Sequence, residues 1–170
     1  MRRPVREDME KVELYLSLGS DMGDRRQNIE NALSLLNIEL GTPYKALSSI
    51  IETEPWGFES EDKFLNAAVM YELELPKGFN PEAEALMVLE ICKSVEKRLG
   101  RTGAPQYDKK GERIYSSRPI DVDILLFGDY RIDCEELTIP HKLMYAREFV
   151  MRPLKEIATA LPEPRRDIED

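Results

Sequence analysis

Apolar residues recur at every second position along Val12–Gly19 (Val12, Leu14, Leu16, Leu18), and this period of two predicts a first β-strand. The period then lengthens. After a turn rich in Gly and Asp, residues Ile29, Ala32, Leu33, Leu36 and Leu40 recur at three and four. That spacing predicts a helix over Arg25–Leu40 with one apolar stripe, Asp24 as N-cap and Gly41-Thr42-Pro43 as its stop. Tyr44–Thr53, with β-branched Ile50, Ile51 and Thr53, reads as a second strand. Glu54–Asp62 contains Pro55 and Gly57 and reads as a loop, and Phe64–Leu75 reads as a third strand ending at Pro76-Lys77-Gly78. Asn80-Pro81 opens a second helix, because proline at the first helical position forfeits no hydrogen bond. Its apolar face is expected to step by four through Met87, Ile91, Val95 and Leu99 until Gly100 stops it. Thr102–Tyr115 holds Gly103, Pro105 and Gly111 without any period and is expected to be a mobile loop. Ile120–Phe127 is a fourth strand. A short hairpin around Arg131–Thr138, a turn at Pro140-His141 and a short helix near Leu154–Ala160 complete the pattern.

Strand, helix, strand, strand, helix, strand is the ferredoxin-like βαββαβ order, so the expected fold class is α+β with a C-terminal hairpin and short helix added. The 170 residues show no internal repeat and no linker, which predicts one domain, large enough to bury a core without disulfides and with flexible ends at 1–11 and 163–170. A content of 42% apolar and 34% charged residues places the chain among soluble globular proteins. No stretch is apolar enough to span a bilayer, and the charged start has no signal-peptide character, which implies a cytoplasmic protein. Cys92 and Cys134 form no metal-type pair and are expected to be reduced packing residues. The net charge of −9 argues against a protein built to grip nucleic acid. Positive charge is nevertheless concentrated between Arg101 and Arg118, where Arg101, Lys109, Lys110, Arg113 and Arg118 face only Asp108 and Glu112. That run suits a small anionic ligand, or simply a solvated loop.

The stretch Arg118–Gly128 carries the clearest chemistry. Strand alternation sets Ile120, Val122 and Ile124 on one face and Asp121 and Asp123 on the other, with the two acids roughly 7 Å apart at Cα. Two ionised acids at that spacing repel unless a cation joins them, and hard divalent ions such as Mg²⁺ take oxygen ligands. Arg118 adds a permanent charge with forked donors suited to phosphate. Metal plus arginine points to a nucleotide; an edge strand with a solvated acidic face would carry the same pair. No phosphate-binding glycine loop and no RNA-recognition aromatics are present.

Seven short stretches, taken in order, resemble the 6-hydroxymethyl-7,8-dihydropterin pyrophosphokinases of folate biosynthesis. They are Leu18-Gly19-Ser20-Asp21 with Gly23-Asp24; Thr53-Glu54-Pro55-Trp56-Gly57; Phe64-Leu65-Asn66-Ala67; Gly100-Arg101; Arg118 with Asp121-Val122-Asp123 and on to Gly128; Ile139-Pro140-His141; and Arg147 with Phe149-Val150 and Pro153-Leu154. The resemblance covers about Glu13 to Leu161 and implies transfer of the β,γ-pyrophosphoryl group of ATP to the pterin hydroxymethyl, with release of AMP. It implies catalytic roles for Arg101, Arg118, Asp121 and Asp123, the two aspartates holding two Mg²⁺ ions against the triphosphate. By the same resemblance, ATP contacts fall on Glu96, Arg101, Tyr115, Arg118, Ile124, His141 and Arg147. The pterin site falls on Thr53, Pro55, Trp56, Phe64, Asn66 and Phe149, where two phenylalanines would sandwich a flat bicycle and an amide would read its edge. Read without the resemblance, both phenylalanines are core residues, Glu96 is an exposed helix charge and His141 is structural. The chain departs from the family at Tyr115-Ser116-Ser117, where Trp-Gly-Pro is common, at Gly103 in place of a second loop arginine, in the length of 102–114, and at Lys142. The implied partners are ATP and the pterin, with no nucleic acid and no membrane, and the chain is expected to be a monomer. A non-catalytic pterin- or nucleotide-binding module and a metal-dependent phosphohydrolase of the same fold are the rival readings.

Overall fold

Met9–Ser20 (β1) and Phe64–Pro76 (β4) pair antiparallel along their whole lengths, from Met9 opposite Pro76 to Ser20 opposite Leu65, and everything else is laid against this long pair. The computed structural model describes residues 8–53, 63–100, 110, 119–158 and 160–163, with 106–107 and 113–114 described by backbone alone. Between the two strands lies α1 (Arg25–Leu40), followed by the short strands β2 (Ala46–Leu47) and β3 (Ile51–Thr53). After β4 come α2 (Pro81–Arg98), a two-stranded ribbon of β5 (Gln106–Tyr107) and β6 (Arg113–Ile114), then β7 (Asp121–Phe127), β8 (Ile132–Asp133), β9 (Thr138–Ile139) and α3 (Glu148–Ile157). The main sheet runs β2-β4-β1-β7 with β3 also on β4, and every pairing is antiparallel. The architecture is a mixed α and β fold on an antiparallel sheet.

Local chemistry starts α1 and α2, and stops α1, as expected. The Asp24 carboxylate accepts the Gln27 N–H at 3.1 Å and the Asn80 side chain accepts that of Ala83 at 3.1 Å, each satisfying an orphan donor of a first turn. Gly41 closes α1 with φ of 75°, a left-handed conformation that a side chain would strain.

Strand alternation then sorts side chains onto two faces. Leu14, Leu16, Leu18, Val69, Tyr71, Leu73, Val122 and Ile124 point to the layer of α1 and α2, where they meet Ile29, Leu33, Leu36, Val88, Cys92 and Val95 in the main core. Tyr71 reaches through that core and donates its hydroxyl to Asn37 Oδ1 at 2.7 Å, so its buried polar atom is satisfied. The opposite face is covered only in part. There Tyr15, Ala68, Met70 and Leu125 pack on Val150, Met151 and Leu154 of α3.

Four expectations are corrected. The second strand, expected unbroken over Tyr44–Thr53, is two pieces. Four steps from Leu47 to Ile51 face three from Val69 to Asn66, which is one extra residue, and the Ser48 hydroxyl fills the ladder by accepting the Ala68 N–H at 2.8 Å. The buried stripe of α2 is Ala85, Val88, Cys92 and Val95, while Met87 is 61% exposed. A strict step of four winds about 40° round a helix each time, so a residue two steps from Val95 leaves the core face. The span 102–115, expected to lack structure, contains the β5–β6 ribbon. The last helix begins at Glu148, ahead of Pro153, because Val150, Met151, Pro153 and Leu154 are buried together. The hairpin is in place, with Ile132 opposite Ile139, and the 139–140 peptide bond is cis.

Candidate functional site

On the partly covered face, the end of the sheet beyond α3 is polar. The register sets Asp121 opposite Gly19 and Gly19 opposite Asn66, with Asn66 opposite Ile51 in turn. One row lower, Asp123 lies opposite Ser17 and Ser17 opposite Ala68. Directly opposed residues of antiparallel strands share a face, so Asp121, Asp123, Ser17, Asn66, Thr53 and Phe64 all project to the side on which α3 lies. Asp121 and Asp123 therefore stand together, as the sequence period required. Asp121 is half-buried and Asp123 exposed. A bulge just below them, where Ile124 and Leu126 face Leu16 and Tyr15, lets both Leu125 and Leu126 pack on the α3 side. Ile124 itself points into the main core, so any nucleotide contact from it falls to its backbone.

Asn66 is buried and donates its amide to Thr53 Oγ1 at 2.7 Å. Its carbonyl side needs a neighbour with no side chain: a Cβ on Gly19 would lie 3.1 Å from Asn66 Oδ1 and 3.8 Å from the Phe64 ring. Glycine near the end of this inner strand is thus favoured by the approach of Asn66, and the row Asp121–Gly19–Asn66 is a shallow floor flanked by acid and amide.

Glu96 reaches from α2 to the outer edge of β7, where its carboxylate accepts the Val122 N–H at 2.9 Å. This covers an edge donor next to Asp121 and Asp123 and fixes that strand end to α2.

His141 enters from the chain after β9. Its backbone N–H donates to Leu125 O at 3.0 Å, and its ring Nδ1 accepts the Leu143 N–H at 3.2 Å. That bond makes Nδ1 an acceptor and leaves the ring proton on Nε2. Burial, reinforced by the Arg147 charge, pushes the imidazole down to about 4, so His141 is neutral at physiological pH and the permanent charge beside it belongs to Arg147. Arg147, immediately before α3, carries its guanidinium carbon 5.9 Å from the centre of the Phe149 ring, which packs at the edge of the α3 core.

The donor set suits a hard divalent ion. Among the described residues no group of three or more His, Cys, Asp and Glu side chains converges, and at this end of the face Asp121 and Asp123 stand as neighbours on one strand. Mg²⁺ uses one or two carboxylates and takes its remaining ligands from water and phosphate oxygens, so a pair at an open strand end fits it. Cys92 lies in the main core, where burial holds its thiol protonated, and both cysteines are free.

A model of the 7,8-dihydro-6-hydroxymethylpterin-pyrophosphokinase family matches residues 15–159. The chain belongs to that family. The chain is 42% identical over 146 residues to the 2-amino-4-hydroxy-6-hydroxymethyldihydropteridine pyrophosphokinase of Porphyromonas gingivalis, covering 85% of this chain and 90% of the relative. The Bacillus subtilis protein of the same name is 38% identical over 143 residues, covering 84% and 76%. Among solved structures, one described as HPPK-DHPS in complex with substrates matches with a TM-score of 0.52 at 14% identity. It covers 87% of this chain and 40% of that longer one, a likeness of fold alone.

Of the residues that the pyrophosphokinase resemblance singled out, the fold brings Thr53, Phe64, Asn66, Asp121 and Asp123 to one face, with His141, Arg147 and Phe149 entering on the same side. Pro55, Trp56, Arg101, Tyr115 and Arg118 lie outside the described residues. Sequence reasoning missed Ser17 and Gly19 as the floor between acids and amide; the register that places them could not be read from one strand. It also missed Asp21, fully buried at the exit of β1 inside a quoted motif but given no role.

Proposed function

We propose that this pyrophosphokinase-family chain transfers the pyrophosphoryl group of ATP to the hydroxymethyl group of 6-hydroxymethyl-7,8-dihydropterin in folate synthesis, on the face formed by β1, β3, β4, β7 and the start of α3. The observation that carries the reading is the single row in which Asp121, Gly19 and Asn66 lie side by side, so that a paired acid and a buried amide share one floor. The hydroxymethyl oxygen forms its bond to the β-phosphorus as the bond between that phosphorus and the bridging oxygen breaks, that oxygen leaving with AMP, and the hydroxyl proton passes to solvent water. The chain's own groups supply position and charge, and none needs to act as a nucleophile.

Asp121 and Asp123 are the residues that would hold Mg²⁺, two ions in this reading, and bound Mg²⁺ supplies neutralisation of the triphosphate oxygens. Asn66, held by Thr53, reads the edge of the pterin, and Phe64 and Phe149 offer ring faces for it. Arg147 contributes a permanent charge toward phosphate and neutral His141 a donor from Nε2. Glu96 holds the β7 end in register with α2. Arg101, Arg118, Tyr115, Pro55 and Trp56 complete the site in this reading, the two arginines as phosphate clamps.

The strand order supports the finer fold assignment: with β2 and β3 taken as one interrupted strand, it is the ferredoxin-like arrangement. We read the whole chain as one catalytic domain, since both of its apolar clusters pack on the one sheet. It acts as a monomer in the cytoplasm, where two unpaired thiols persist. Among the described residues no helix is long and apolar enough to cross a membrane.

Measurement of AMP release from ATP and Mg²⁺, with and without the pterin, tests the reading. AMP formed only with the pterin, in equal amount to pterin diphosphate, is the expected result. Turnover without pterin means a phosphohydrolase, and no turnover means a binding module.

A further inference from the structure

Arg25 is the first residue of α1 and belongs to none of the groups assigned above, yet its guanidinium bridges two strand ends that frame the amide site. Nη2 donates to the Glu52 carboxylate at 3.0 Å, and Nη1 donates to the Lys63 carbonyl. Glu52 and Lys63 immediately precede Thr53 and Phe64, and those two residues form the last pair between β3 and β4. Strand alternation explains the arrangement: Glu52 pairs with Leu65 and points to the α1 side, whereas Thr53 and Phe64 point to the site.

β3 has three residues and rests on β4 alone, so little else in the sheet secures its end. The Thr53 hydroxyl in turn holds the Asn66 amide at 2.7 Å. A displacement of β3 by a fraction of an ångström would therefore reorient Asn66 without touching the core.

We propose that Arg25 is a positioning residue for the pterin: its two-pronged grip on Glu52 and on the Lys63 carbonyl holds the Thr53–Phe64 pair closed and so keeps the Asn66 amide aimed at the bicyclic substrate. A planar fork meets a carboxylate and a carbonyl at once, which the single ammonium of lysine does less well. Because Arg25 lies on the side of the sheet away from Asp121 and Asp123, its influence is confined to pterin recognition. The proposal rests on the assignment of Thr53, Phe64 and Asn66 to the pterin.

Steady-state constants of Arg25→Ala, Arg25→Lys, Glu52→Gln and Asn66→Ala, with pterin affinity by fluorescence titration, provide the test. Arg25→Ala is expected to raise the pterin KM and dissociation constant about three- to tenfold, with the ATP KM unchanged. Arg25→Lys recovers part of this loss, and Glu52→Gln added to Arg25→Ala adds nothing, since Arg25→Ala already removes the contact that Glu52→Gln weakens. A pterin KM unaltered in Arg25→Ala while Asn66→Ala abolishes pterin binding overturns the role of Arg25 alone. Equal rises in the pterin and ATP constants overturn it too, because they report general loosening. Unimpaired pterin binding in Asn66→Ala overturns the underlying site assignment instead.

Discussion

The two faces of the sheet are built from the same strands and serve opposite ends. On the α1 and α2 face, Leu14, Leu16, Leu18, Val122, Ile124 and Phe127 form a continuous apolar layer. On the other, the residues between them (Tyr15, Ser17, Gly19, Asp121, Asp123) pass from apolar under α3 to polar beyond it. A period-two strand can thus devote every second residue to stability and the intervening ones to chemistry, with little cross-talk. The difference teaches that substitutions on the two faces of β7 should divide into stability effects and activity effects.

The largest expected separation is between Phe127 and Asp123. Phe127 is fully buried, with its ring edge-on to Phe79 at 6.4 Å between centroids, so Phe127→Ala should lower unfolding free energy by about 3–5 kcal/mol in urea titrations. Asp123→Asn should reduce kcat/KM about a hundredfold or more, by loss of a carboxylate proposed to hold Mg²⁺, while the urea midpoint does not fall, since it relieves repulsion with Asp121. If Asp123→Asn unfolds the chain, or keeps full activity, the division of faces is wrong.

His141 sharpens the comparison in pH. Its folded-state value of about 4 lies below the ordinary 6.5, so between those values the unfolded chain binds more protons. The stability this group contributes is fully present above about pH 6.5 and is lost as pH falls toward 4, by about 3 kcal/mol at most. Urea unfolding of the parent and of His141→Gln across that window checks this, and the variant should show the shallower slope. An identical slope would remove the burial argument.

Much of the fold was legible because its signals are local. The caps at Asp24 and Asn80, the stop at Gly41, the strand at Asp121–Phe127 and the shared face of Asp121 and Asp123 each depend on a few neighbouring residues and a fixed period. Expectations failed where the answer depended on a distant partner. The break after Leu47 needs the Ser48 hydroxyl to meet the Ala68 N–H. The rotation of α2 is set by the sheet it packs on, and α3 starts ahead of Pro153 because burial against Ala68 and Met70 outweighs the hydrogen bond that proline lacks.

By itself, then, the sequence determined which residues share a side along each regular stretch of strand, since that follows from backbone geometry alone, and its motifs pointed to the family. Only the tertiary structure decided which elements face one another: that Gly19 separates Asp121 from Asn66, that Glu96 caps the edge at Val122, and that Arg25 reaches Glu52 across 27 positions of chain. Register and helix rotation are properties of pairs of segments, fixed by packing and hydrogen bonding between them, and no single segment carries them.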